Sequence, residues 1–178
     1  MNELKGNDVQ EGSDPSLRSG LRKEANLTPE RRDLIVAEAY AWVKARTPYV
    51  PHARVRGLGC DCATFILCVY RDLGFAPDIE LGNYSVQAHL HRAYTEYIDT
   101  ILRYADEIPE WQAEPGDLVV FKVARAYAHG AIVITPPSSG RFLVIHSMTR
   151  IGVIQSDDQE SFLKGRQRRF FRRNFSKG

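Results

Sequence analysis

Asp61-Cys62 opens an apolar run with helical spacing, and two later apolar runs each carry one histidine, His129 and His146. Cysteine at a helix start followed by two imidazoles is the equipment of a thiol hydrolase. Only the thiolate attacks well. The positive end of a helix and a nearby imidazole are two usual ways to lower a thiol pKa from about 8.5. In this reading Cys62 attacks, His129 takes the thiol proton, and His146 holds the His129 ring and fixes its tautomer. The Cys62 main-chain N–H, an unpaired donor of the helix start, stabilises the oxyanion. Each residue alone has a plainer explanation, because a lone cysteine usually behaves as a small buried apolar group. Cys68, in mid-helix, fits that explanation; Cys60, in the preceding loop, is either a neighbour of the site or incidental.

These side chains need elements to bring them together. Thr28-Pro29-Glu30 starts a helix with a capping hydroxyl, a first-turn proline and an acid facing the dipole. Ile35, Ala39, Trp42 and Val43 give it a buried stripe to about Ala45, and Thr47-Pro48 ends it. Tyr49 to Gly59 reads as a loop. A second helix runs from Cys62 to about Leu73, where Gly74 stops it, and a third spans Val86 to Tyr104. Strands follow at 118–121, 131–134 and 142–145, with a fourth at 151–154 and a fifth, returning to an edge, at 169–175. Pro136 to Gly140 turns the second strand into the third as an antiparallel hairpin. Alternate strand residues share a face, so His129 points with Ala131 and His146 with Val144. Both rings then reach one end of one sheet face, where the helix carrying Cys62 is expected to meet them. Helices followed by strands predict an α+β fold, with helices packed on a central antiparallel sheet of about five strands.

The 178 residues suit one domain with an appendage, and 43% hydrophobic with 26% charged residues is a globular composition. A net charge of +2 gives no overall field for nucleic acid or a membrane surface. The 3 cysteines fall between Cys60 and Cys68, which is no disulfide framework, and no second ligand pair follows at zinc spacing. We divide the chain into a flexible arm over 1–26, polar and without the apolar core of a signal peptide, and a single domain over 27–178. No stretch approaches the ~20 apolar residues of a membrane span. Cations crowd the C-terminus: Lys164, Arg166, Arg168, Arg169, Arg172, Arg173 and Lys177. We read them as protecting an edge strand whose Phe170 or Phe171 packs inward, in preference to a polyanion contact.

Four ordered blocks carry a resemblance: Gly57 to Phe65 around Asp61-Cys62, Glu114-Pro115-Gly116-Asp117 with the strand after it, Ala128-His129-Gly130 with its strand, and Val144-Ile145-His146-Ser147. Together they resemble the NlpC-type cell-wall cysteine peptidases, a papain-like family, over about Thr28 to Phe175. The Cys60-Asp61-Cys62 run and the upstream Pro48-Tyr49 resemble the branch encoded with phage tails and gene transfer agents. The resemblance implies a papain-like fold with Cys62 as nucleophile, His129 as base and His146 as the residue orienting it. It brings Tyr49 near the thiol. Tyr49, Asp61 and His52 are candidates for the oxyanion and substrate cleft, although Asp61 also suits a helix cap and His52 an exposed loop. Two positions depart from the pattern: Ala63 stands where many members have serine, and Val50-Pro51-His52-Ala53 where many have paired glycines. The implied activity is hydrolysis of peptidoglycan stem peptides, often at the γ-D-glutamyl to diamino-acid link, with no metal or other cofactor. The implied setting is a particle-borne protein, made in the bacterial cytoplasm and acting at the cell wall, whose arm docks to other tail proteins. The alternatives are a tail-tip component with little turnover and a thiol amidase or acyltransferase acting on a small substrate.

Overall fold

The computed structural model describes residues 26–81 and 96–177. The expected arm, Asn26 apart, and the first part of the third expected helix lie outside the described residues. Helix α1 spans Pro29–Lys44, with the Thr28 hydroxyl accepting from the Arg31 N–H at 3.3 Å. It buries Ile35, Ala39 and Trp42. Helix α2 spans Cys62–Asp72. Gly74, at φ 71°, closes it: its N–H donates to Arg71 O and that of Phe75 to Tyr70 O, both at 2.8 Å. Helix α3, Glu96–Leu102, is the described part of the third expected helix. The expected loop after α1 contains a small ribbon, β1 (Arg54–Val55) against β2 (Gly59–Cys60).

The main sheet contains β3 (Ala105–Ile108), β4 (Leu118–Val123), β5 (Ala126–Thr135), β6 (Leu143–Met148), β7 (Gly152–Asp157) and β8 (Arg168–Arg173), in the order β3-β8-β4-β5-β6-β7 and antiparallel throughout. The fold is α+β as expected, with six strands in this sheet rather than about five. The addition is β3, whose Asp106 and Glu107 carry no apolar alternation. Its charges meet β8 instead: Arg169 pairs with Glu107 at 2.6 Å, and Lys177 just beyond β8 pairs with Asp106 at 2.6 Å. β8 therefore lies inside the sheet, between β3 and β4, and not at the expected edge. Its arginines serve carboxylates and carbonyls of the same molecule: Arg168 pairs with Glu110 and Asp158, Arg172 with Glu114 and Asp117, and Arg173 donates to Phe75 O.

The two sheet faces carry two cores. Leu118, Val120, Ile132, Ile145 and Phe171 pack with the helices, through Trp42 of α1, Phe65, Ile66 and Val69 of α2, and Ile98 of α3. Val119, Phe121, Ala131, Val133, Val144 and Phe170 form the second core, with Phe142 and Leu163 over them. His129 and His146 follow the alternation of this second set, so α2 packs on the face opposite the histidines and not, as expected, on theirs.

Candidate active site

The junction between β5 and β6 resolves how a helix on one face meets rings on the other. The β5–β6 ladder runs from Thr135/Leu143 only to Ile132/Ile145. Beyond that pair the strands are not joined. Val133 exchanges main-chain bonds on the β4 side, with Asp117 O at 2.9 Å and Gly116 N at 2.9 Å, so the groups of Gly130 point to the β6 side. Ala128 is the extra residue of a bulge, since Phe121 faces His129 while Lys122 faces Tyr127. The Cys62 thiol enters this gap and donates to Ala128 O at 3.6 Å. The Gly130 N–H is aimed at the same sulfur. The thiol is thus held by main-chain groups on either side of His129. One step earlier, the Ser147 hydroxyl donates to Cys60 O at 3.1 Å, tying the approach to α2 onto β6.

The two imidazoles touch. His129 Nε2 and His146 Nδ1 are 2.6 Å apart, with ring centroids at 4.9 Å and planes at 88°. Two residues that sequence reasoning missed stand behind them. His146 Nε2 lies 2.8 Å from Ser156 Oγ, and that hydroxyl donates to Glu160 Oε2 at 3.0 Å. Ser156 lies two residues beyond Ile154, the register partner of His146, and so shares its face. Register could have found Ser156; Glu160, on the following turn, offers no such signal. Phe162 lies against both rings, with centroids 4.9 Å from His129 and 6.4 Å from His146. His146 is 0% and His129 7% exposed. Burial, partly offset by the Glu160 charge, lowers the His146 pKa to about 4, so the ring is neutral near pH 7.

Asp61 caps α2. Its Oδ1 accepts from the N–H groups of Ala63 at 3.0 Å and Thr64 at 2.9 Å, and the Thr64 hydroxyl accepts from the Asp61 N–H at 2.8 Å. Asp61 is 1% exposed. Its Oδ2 accepts the His52 N–H at 2.7 Å. His52 is exposed at φ 61°, a backbone region that favours glycine, at the place where the resemblance leads one to expect glycines. Tyr49 is bridged to Cys60 through the main chain, and its hydroxyl bonds with Thr149. Burial first, then the negative Cys62 sulfur, raises the Tyr49 pKa to about 12.

The environment does not lower the thiol pKa as the sequence suggests. Burial and then the Asp61 carboxylate push Cys62 up to about 12, against the opposing N–H groups of Gly130, Cys62 and Ala63. Cys60 goes up to about 12 and Cys68 to about 11, both mainly by burial. Cys62 alone of the three is not fully buried. A thiolate here has to be made by handing the proton to a base. Gly130 allows the helix its close approach, since a Cβ there would sit 2.1 Å from Tyr97 Oη and 2.4 Å from Ile66 Cδ1. That Tyr97 hydroxyl is buried without a hydrogen-bond partner among the described residues.

The fold is that of an NlpC/P60-type cysteine peptidase. The chain belongs to the NlpC/P60 family, whose model matches residues 38–172. It is similar in structure to the NlpC/p60 domain of the peptidoglycan hydrolase SagA, with a TM-score of 0.52, 22% identity, and coverage of 79% of this chain and 97% of that one. It is also similar to a lipoprotein-like NLP/P60 family protein from Staphylococcus aureus, with a TM-score of 0.53, 23% identity, and coverage of 84% of this chain and 43% of that one. A comparison with curated proteins finds no match. Among the described residues no helix is long and apolar enough to cross a membrane.

Proposed function

We propose that this cell-wall peptidase cleaves peptidoglycan stem peptides through Cys62, with His129 as base and His146 orienting it. The observation carrying this reading is the Cys62 sulfur held between Ala128 O and Gly130 N–H, either side of a histidine in 2.6 Å contact with a second one. His129 takes the thiol proton as the sulfur bonds to the substrate carbonyl carbon. The Cys62 N–H stabilises the oxyanion. Collapse breaks the C–N bond, and His129 returns the proton to the leaving amine. Water, activated by the same ring, then hydrolyses the thioester and restores the thiol. Tyr49 and His52 flank the substrate approach.

The bond we assign is the amide joining the γ-carboxyl of D-glutamate to the diamino acid. SagA, named as a peptidoglycan hydrolase, supports the substrate class. We further read the chain as borne on a phage-tail or gene-transfer-agent particle, with segment 1–26 docking to neighbouring proteins; the Cys60-Asp61-Cys62 run and Pro48-Tyr49 support that setting. The test is digestion of purified sacculi, with released muropeptides identified by mass spectrometry. Wild type is expected to release fragments cut at that bond and Cys62→Ala none. Equal release by both, or none by a folded wild type, would contradict the assignment.

A further inference from the structure

We propose that Ser156 and Glu160 are positioning residues that set the direction of the hydrogen-bond chain Glu160–Ser156–His146–His129, and so keep the proton-accepting lone pair of His129 on Nδ1. The inference rests on the reading of His129 as the base, but its geometry is independent of that reading.

Each link allows one polarity once its end is fixed. An ionised carboxylate only accepts, and Glu160 is solvent-exposed. Its Oε1 takes the Asp157 N–H at 3.1 Å, which pins the group, and its Oε2 takes the single proton of the Ser156 hydroxyl at 3.0 Å. Ser156 Oγ can then only accept from His146 Nε2, 2.8 Å away, so His146 carries its proton on Nε2. Its Nδ1 is therefore an acceptor, and the 2.6 Å contact requires a proton on His129 Nε2. The neutral His129 ring consequently has its lone pair on Nδ1, the nitrogen on which a thiol proton can be received. A surface carboxylate thus selects a tautomer three links away, without touching the sulfur or the substrate. Burial of Ser156 (2% exposed) and of His146 under Phe162 keeps water from competing for these bonds.

Glu160→Gln makes the sharpest variant. Its amide oxygen stays on the Asp157 N–H, because turning it would oppose two donors. The amide NH2 then faces Ser156, the hydroxyl turns to donate to His146 Nε2, and every bond in the chain reverses. The His129 proton moves to Nδ1, where the base is needed. Ser156→Ala cuts the chain instead, leaving the tautomers unselected.

The experiment is nitrogen NMR of the full chain with labelled histidine, read beside muropeptide hydrolysis. In wild type both rings are expected as the Nε2–H tautomer near neutral pH. In Glu160→Gln both are expected to switch to Nδ1–H, with kcat falling roughly 10–100-fold and KM unchanged. In Ser156→Ala each ring becomes a mixture. His146 protonated on Nδ1 in wild type would overturn the inference without any variant being made. A Glu160→Gln protein with unchanged tautomers would overturn it as well. Tautomers that switch as expected in a protein whose hydrolysis does not respond would uphold the inference and reject the reading of His129 as the base.

Discussion

Two buried polar networks share this sheet, and they are built on different plans. At the start of β4, Asp117 (0% exposed) accepts from Arg32 at 3.0 Å, from Arg172 at 2.8 Å and from the Glu114 N–H at 3.0 Å, while Glu114 also pairs with both arginines. Two cations face two carboxylates and the cluster closes on itself. The second network runs in a line from Glu160 through Ser156 and His146 to His129. It holds one permanent charge, at the water end, and neutral groups inward. A closed cluster locks α1, β4 and β8 together. A directed chain delivers a preference for where one proton sits. The Glu114-Pro115-Gly116-Asp117 block of the resemblance belongs to the first network, and the histidine blocks to the second.

That contrast can be broken from either end. Asp117→Ala takes the buried carboxylate away from Arg32 and from the half-buried Arg172 and leaves them only the exposed Glu114, and breaking a buried pair costs about 3–5 kcal/mol. Denaturant unfolding should record that loss, while Cys62 alkylation per folded molecule stays the same; a fall in both would join the two networks. Next in size is the acid response. His146 is neutral when folded, with a pKa lowered to about 4 by burial, whereas unfolded histidine titrates near 6.5. The unfolded chain therefore binds the extra proton between these values. Stability from this group is complete above about pH 6.5 and is lost as pH falls toward 4, by on the order of 3 kcal/mol. Unfolding measured across that window should slope in wild type and flatten in His146→Gln; equal slopes would contradict a buried neutral ring. Gly130→Ala is the mildest. Its Cβ forces Tyr97 and Ile66 back, an overpacking of about 1–3 kcal/mol, and moves a donor off the sulfur. Slower Cys62 alkylation with a modest drop in melting temperature is expected, and an unchanged alkylation rate would show that the approach is loose.

Local chemistry made much of this legible. The Thr28 and Asp61 caps, the Gly74 stop and the apolar stripes of α1 and α2 are short-range signals, and each lies where the spacing puts it. The histidines lie in strands because Ala131–Ile134 and Val144–Ile145 are apolar runs; β5 simply begins earlier, at Ala126. What stayed hidden depends on distant partners. Asp106-Glu107 becomes strand only because Arg169 and Lys177 wait some sixty to seventy residues on. β8 is internal for the same reason. The opposite-face packing of α2 could not be read, since it follows from a gap in a ladder and a bulge at Ala128. Glu160 is an ordinary surface acid until Ser156 turns toward it.

The central claim is that the Cys62 thiolate exists because His129 takes its proton. The most direct test is the rate of Cys62 alkylation by iodoacetamide against pH, in wild type and in His129→Ala, with Cys60 and Cys68 as internal references. The account predicts that wild-type Cys62 reacts ahead of the other two near neutral pH. In His129→Ala its reactivity should retreat toward the strongly alkaline value, about 12, that burial and Asp61 impose. Identical profiles for the two proteins would contradict it.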